Sequence, residues 1–556
     1  MEFTHSTIMD YMHRWLQETP DRVWLRDRKG DDFTEWTWQS AYDEFEAVAA
    51  WLEEEYGDTG TNIGLLSKNC AHWMLADMAI LASGNVSIPL FTTQNAEISE
   101  YILNFAEVKL LVLGRAENWQ SIQAVLPADT RVLLLPGADP EAGAGTNALR
   151  WEDIAARYRG QRAQHQCRPD EIFTIPFTSG TTGMPKGVMQ SHDSMTIPVE
   201  RAKEAFGIRP NPRLLSYLPL SHIAERQIIW VQSLFSCGTV TFNEDLSTLI
   251  RDMADTAPNM FFGAPRVWEM IHQGVIAKLG SQDVLDKMLA DDREGTQNLI
   301  RAGLGLNDYD FLLTAAAPIP ASLIRWYDSL GITLCEGFGQ TEAMGLVVNT
   351  PDDRRIGSIG RPVAGVEVKL SEEGELLCKA AALSPGYYKQ DDKTAETFVD
   401  GWVKTGDKAR IDDDGYIYIT GRVKDYFKTL QGKFVAPPPI EDAFAASADV
   451  EQLCLLGRGY SKTVMVCVLS PAAKSTPKAS IETSLLTQAE TVNKTLDKHA
   501  RIGAVIVSQE PWTIENGMLT PTLKLKRDQI EAKFGERAQQ LAQESAEKRS
   551  LLIDWM

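Results

Sequence analysis

The chain has 556 residues, too many for one ordinary domain, and its 44% hydrophobic and 24% charged residues are globular usage, which excludes wholesale disorder. A formal net charge of −21 makes it a poor general binder of nucleic acid, whose phosphates need clustered Lys and Arg, and anionic lipid would repel it outside a local basic patch. Any phosphate-rich ligand must therefore find its cations locally.

The seven cysteines (Cys70, Cys167, Cys237, Cys335, Cys378, Cys454, Cys467) are odd in number and show no CxxC spacing, so they read as buried thiols of a reducing compartment. The eight histidines form no HxxxH or HExxH pair, which argues against zinc. The first residues lack a basic and apolar leader, and no apolar run is long enough to span a bilayer. The expectation is a cytoplasmic enzyme, with peripheral contact at the inner face of a membrane left open. Composition does not choose between monomer and homodimer.

In chain order, Ala41 to Glu55 carries Tyr42, Phe45, Val48, Trp51 and Leu52 at helical spacing. Short apolar runs predict strands at Ile63 to Leu66, Lys109 to Leu113, Arg131 to Leu135 and Ile172 to Phe177. Further strands are predicted at Thr239 to Phe242, Met260 to Phe262 and Phe311 to Leu313. Strands alternating with helices give an α/β fold with layered, largely parallel sheets. Pro136 to Thr146 and Pro471 to Ser480 read as loops. After about Ile356, the short strands Val366 to Leu370, Glu375 to Lys379 and Tyr416 to Thr420 predict a β-rich subdomain. Beyond Arg422, strands at Glu451 to Leu456, Thr463 to Leu469 and Ala504 to Val507 among helices predict a small α+β domain.

The strongest chemical signal is Thr178-Ser179-Gly180-Thr181-Thr182-Gly183-Met184-Pro185-Lys186-Gly187. Glycines let backbone N–H groups turn inward, hydroxyls add donors, and Lys186 adds a cation. Directly after a buried strand, such a loop suits a polyphosphate. It lacks the GKS or GKT of a Walker loop.

This loop resembles the phosphate loop of the adenylate-forming superfamily, which includes acyl-CoA synthetases, firefly luciferase and peptide-synthetase adenylation domains. The resemblance runs through nearly the whole chain. Leu218-Pro219-Leu220-Ser221-His222 is similar to the family's substrate-side motif, and Thr314-Ala315-Ala316-Ala317-Pro318 to its adenine loop. Gly337-Phe338-Gly339-Gln340-Thr341-Glu342 resembles its aromatic-Gly-x-Thr-Glu motif. The segments ending in Asp407 and beginning with Gly421-Arg422 resemble the ribose site and hinge, with Lys424 as the hinge residue. Thr520 to Arg527 resembles the motif of the catalytic lysine, here Lys524. The resemblance implies a large N-terminal domain over 1–421 and a small mobile C-terminal domain over 422–556.

It also implies ATP, Mg2+ and coenzyme A, with a carboxylic acid passing through an acyl-adenylate. Glu342 is assigned to Mg2+, Thr341 to the α-phosphate, and Phe338 to adenine stacking without the phenol hydroxyl of many relatives. Asp407 can accept both ribose hydroxyls, with Arg422 as a donor fork, unless the two only pair with each other at the surface. His222 stands between a role at the substrate carboxylate and a structural one, and Trp230 between an acyl tunnel and the core. Ala-rich 315–317 departs from a more Gly-rich adenine loop. Leu523 in place of Gly, with Gln431 to Pro437, matches long-chain acyl-CoA ligases, so a medium- to long-chain fatty acid is expected. Delivery to a carrier protein, an aryl acid, a P-loop-like ATPase and a non-catalytic nucleotide binder remain the alternatives.

Overall fold

The computed structural model describes residues 3–57, 60–143, 148–178, 184–514, 516–520 and 525–556. The chain is α/β, built on two large sheets that follow the run of buried apolar segments. The first places its strands in the spatial order Arg361–Pro362, Ala343–Val348, Cys335–Gln340, Phe311–Thr314, Met260–Gly263, Arg213–Ser216, Thr239–Phe242, Val23–Lys29 and Asp32–Thr37. The six strands from Cys335–Gln340 to Val23–Lys29 are parallel, and antiparallel strands close both edges. The second sheet orders Gln190–Ser191, Ile172–Thr174, Val86–Leu90, Asn62–Leu66, Leu110–Leu113, Arg131–Leu134 and Leu149–Arg150, parallel except at its first pair.

The helix Ala71–Ala82 is apolar nearly all round, and all but one of its residues are buried. Such a helix stays in water's absence only if its one charge is paired. Asp77, fully buried, meets the equally buried Arg226 at 2.5 Å. In the same buried cluster, Trp24 and Trp38 stack with ring centroids 4.8 Å apart.

The predicted run Ile172 to Phe177 is two strands instead of one. Ile172–Thr174 joins the second sheet, while Phe177–Thr178 pairs with Lys186–Gly187. The break falls at Pro176, which offers no N–H to a ladder. The predicted loop Pro471 to Ser480 holds a 3-10 turn, Ala473–Ser475, and the start of the helix Lys478–Asn493, which Pro477 precedes as N-cap. Its companion, Pro136 to Thr146, includes the turn Pro140–Gly143, and its last residues lie outside the described ones.

A five-stranded sheet, with Ile417–Arg422 as its last strand in the sequence, forms the β-rich part. After it come Val450–Leu456, Thr463–Leu469, Ile502–Ser508 and Leu552–Trp555 in a sheet of their own. Alternation along Thr463–Leu469 shows why this sheet needs helices on both faces. Val464 and Val466 pack with Phe534 of the helix Arg527–Lys548, and Met465 and Cys467 pack with Leu485 of Lys478–Asn493. All seven cysteines are free thiols, six of them buried.

Candidate functional site

Parallel strands send their following loops out of one sheet edge, where ligands of open α/β sheets bind. Here that edge collects the loop after Arg213–Ser216, the loop after Phe311–Thr314 and the turn after Cys335–Gln340. Three of the sequence motifs therefore meet because of strand direction alone.

The turn is tight. Gln340 pairs with Ala343, so Thr341 and Glu342 form a two-residue hairpin. Its glycines are there for close approach. A Cβ on Gly339 would stand 3.1 Å from the Gly345 nitrogen, and one on Gly337 would stand 2.9 Å from Leu313 Cδ1. Gln190, buried, donates from Nε2 to the Thr341 carbonyl at 2.6 Å, and the Ser384 N–H donates to the Glu342 carbonyl at 3.0 Å. The Tyr387 hydroxyl donates to Glu342 Oε1 at 2.7 Å. Lys186 Nζ lies 4.3 Å above the centre of the same tyrosine ring. Burial lowers the Lys186 pKa, and the Glu342 charge pulls it back up. Lys186 faces Thr178 across a short antiparallel pair. The other phosphate-loop residues of the sequence reading, Ser179, Gly180, Thr181, Thr182 and Gly183, lie outside the described residues.

A second group is continuous with the first through Gln340. Its Nε2 donates to Asp407 Oδ2 at 2.8 Å and to the Thr405 carbonyl at 2.6 Å. Asp407 and Arg422 are cross-strand partners, and Arg422 Nε stands 3.2 Å from Asp407 Oδ1. The pair exists, but it is not a surface pair on both sides. The Asp407 side chain is 7% exposed and that of Arg422 46%, so the carboxylate is held and the guanidinium reaches outward.

Ala315, Ala316, Ala317 and Pro318 follow the strand Phe311–Thr314 directly, and the last three are exposed. Ala316 sits at φ 73°, in the left-handed region where glycine is at ease. The cost of about 1 kcal/mol is carried at the tip of the loop. Phe338 is half-buried and packs against the small cluster of Leu346, Leu376 and Ile417. One part of the ring is thus fixed and the rest is accessible.

His222 caps the short helix Ile223–Glu225, accepting the Ala224 N–H on Nδ1 at 3.2 Å. The loop before it is clamped from two sides. Asn69 donates to the Leu218 carbonyl at 2.6 Å and accepts the Leu220 N–H at 2.9 Å. Glu225 accepts from Ser216 Oγ at 2.7 Å and from the Tyr217 N–H at 3.0 Å. Burial pushes the Glu225 carboxyl up to about 8, against the pull of those two donors. Arg226 opens a π-helical turn, Arg226–Val231, and its guanidinium lies 5.1 Å from the ring centre of Trp230. Trp230 is fully buried in the main core beside Phe173.

Lys424 is exposed in the turn that follows Arg422. Arg527 grips Glu441 with both terminal nitrogens at 2.8 and 2.9 Å and stands 3.8 Å from Asp425. Lys524 lies outside the described residues, and so does Leu523. Sequence reasoning missed Tyr387, Gln190, Asn69, Glu225 and Arg226. None occupies a motif, and only the burial of two adjacent charges in Glu225-Arg226 within an apolar run offered a signal.

A two-sheet α/β chain that collects a cation, a carboxylate and a buried aspartate near one strand edge has the layout of a nucleotide-handling enzyme. The model of the AMP-binding enzyme family matches residues 12–388, and that of the AMP-binding enzyme C-terminal domain matches 424–545. The chain belongs to the AMP-binding enzyme family, the adenylate-forming superfamily that the motifs resemble. It is 28% identical to the long-chain-fatty-acid–CoA ligase FadD15 of Mycobacterium tuberculosis over 95% of this chain and 96% of that one. Identity to the peroxisomal long chain acyl-CoA synthetase 7 of Arabidopsis thaliana is 27%, covering 96% and 85%. Among solved structures, the adenylation domain of a carboxylate reductase from Mycobacterium chelonae superposes with a TM-score of 0.81 at 24% identity, covering 97% and 92%. An anthranilate CoA ligase in complex with anthranoyl-AMP gives 0.79 at 21%, covering 96% and 98%. Among the described residues, no helix is long and apolar enough to cross a membrane.

Proposed function

We propose that this protein is an acid–thiol ligase. It joins a carboxylic acid to the α-phosphate of ATP, releases pyrophosphate, and passes the acyl group from the acyl-adenylate to coenzyme A. The observation that carries this reading is the joint placement of Lys186, Glu342 and, through Gln340, Asp407 and Arg422.

A carboxylate is a weak nucleophile that ATP repels, so the phosphates must be neutralised and the acid aligned with phosphorus. Lys186 supplies a cation at the end of the phosphate loop, and Thr341, beside Glu342 in the hairpin turn, is proposed to offer its hydroxyl to the α-phosphate. Asp407 has the acceptor oxygens for two ribose hydroxyls, and Arg422 adds outward donors. The loop 315–318 and Phe338 provide the walls for a flat base. His222, which ends the clamped loop, is proposed for the substrate carboxylate. Among the described residues there is no group of three His, Cys, Asp or Glu able to cage a metal. Mg2+ is commonly held by one or two carboxylates together with substrate phosphates, and Glu342 is the carboxylate proposed for it. When bound, Mg2+ would neutralise charge on the phosphates.

Lys524 is proposed to bridge the acid and α-phosphate in the first step. Two domains, 1–421 and 422–556, are proposed to turn about Lys424, so that the lysine leaves as the thiol arrives. The exposed turn after Arg422 and the separate sheet beyond it support that boundary.

For the acid, a medium- to long-chain fatty acid is proposed, supported by the Leu523 version of the lysine motif and by relatives named as long-chain-fatty-acid–CoA ligases. A panel of acids assayed for pyrophosphate release with and without coenzyme A tests this. Activity should rise from acetate toward acids of about twelve carbons, each buried methylene adding up to ~0.8 kcal/mol. An aryl acid preferred over dodecanoate would overturn the fatty-acid assignment, and thioester formation only on a carrier protein would overturn coenzyme A.

A further inference from the structure

We infer that Tyr387 is a positioning residue that holds the Glu342 carboxylate and the Lys186 ammonium at one fixed spacing. The inference rests on the reading of Glu342 and Lys186 given above and adds a residue that no motif marks.

The geometry is specific to a two-sided role. One side chain serves both charges, its hydroxyl donating to Glu342 Oε1 at 2.7 Å and its ring face lying 4.3 Å below Lys186 Nζ. The tyrosine itself is 3% exposed and firmly seated. Its N–H donates to Thr394 Oγ1 at 2.9 Å, its backbone forms an antiparallel bridge with Val188, and its ring meets Phe398 edge-on at 6.1 Å. A phenol hydroxyl carries its proton at neutral pH and a carboxylate oxygen only accepts, so the hydrogen bond runs from Tyr387 to Glu342. A donor on one oxygen fixes the rotamer of the carboxylate, and among the described residues the other oxygen, Oε2, has no partner. A cation over a ring face is held without a carboxylate that would compete with phosphate. Tyr387 thus fixes both charges without neutralising either one.

The test is ATP binding by titration calorimetry at a series of Mg2+ concentrations, with thermal melts alongside. Tyr387→Phe keeps the ring and removes the hydroxyl. It should raise the Mg2+ needed for half of the full ATP affinity about tenfold, the loss of one hydrogen bond to a charged group. Glu342→Gln should lose the Mg2+ dependence altogether. If Tyr387→Phe matches the unsubstituted protein at every Mg2+ concentration while Glu342→Gln loses the dependence, the positioning role is wrong and the site reading stands. If Glu342→Gln keeps the dependence, the site reading falls and takes this inference with it. Should Tyr387→Phe melt too low to assay, Glu342→Asp decides. Shortening the side chain withdraws the carboxylate from the hydroxyl while keeping its charge, so the Mg2+ requirement should rise likewise, and an unchanged requirement overturns the proposal.

Discussion

Glu342 illustrates how little a residue needs beyond place. It is one carboxylate at the tip of a two-residue turn, with one oxygen engaged by Tyr387. Its value to catalysis would lie in charge, because the γ-carboxamide of glutamine has nearly the same shape. Glu342→Gln should therefore fold normally and lose acid-dependent pyrophosphate release by on the order of 10²-fold or more, the scale seen when a transition-state charge partner is removed. Near-normal turnover would make Glu342 an ordinary turn residue. Asp407 shows the opposite arrangement, a buried carboxylate whose two oxygens are engaged by Gln340 and Arg422. Any ribose it accepts must share those oxygens.

The loop from Tyr217 to His222 is an element defined by its clamps. Glu225 is central to it and carries a pH signature. Its carboxyl binds a proton in the native state up to about 8, but in the unfolded chain only to its ordinary value of 4.5. Between those values the native state holds the extra proton, so stability falls as pH rises through that window and is complete only below it. Glu225→Gln removes the titration. The melting temperature of the unsubstituted protein should drop from pH 5 to pH 8.5 relative to that of the variant. Parallel curves would show that the carboxyl titrates normally. The clamp also marks where sequence reading stopped. Parallel strands are buried on both faces and appear as continuous apolar runs, so Thr239–Phe242, Met260–Gly263 and Phe311–Thr314 were legible with nearly their true ends. Pro176 was visible too, but its effect depends on which strand lies alongside. Asn69 and Ser216 are 147 residues apart, and Tyr387 and Glu342 are 45 apart. Such contacts follow from how sheets stack, which no local pattern encodes. The motif residues were legible for a different reason: glycines and threonines at fixed spacing record a backbone that must approach a ligand closely.

At the scale of the whole molecule, an acidic chain concentrates its useful cations. Arg527 is committed to Glu441 and Asp425, Arg226 to Asp77 and Arg422 to Asp407, while Lys393 and Lys424 lie near enough to Lys186 for their charges to act on it. If the C-terminal part swings, the two half-reactions should separate. Lys524→Ala should nearly abolish adenylate formation yet still turn supplied acyl-AMP and coenzyme A into thioester. Lys424→Pro, which fixes φ at the turn, should keep pyrophosphate release and slow the thioester step. Equal damage to both half-reactions by Lys524→Ala would contradict the swing.

All of this depends on attack at the α-phosphate. The direct measurement is the fate of ATP labelled at the α- and γ-phosphates, incubated with the protein and Mg2+ in the presence and absence of a fatty acid and coenzyme A. The account predicts AMP and pyrophosphate, formed only when the acid is present. ADP and orthophosphate, or hydrolysis that ignores the acid, would contradict it.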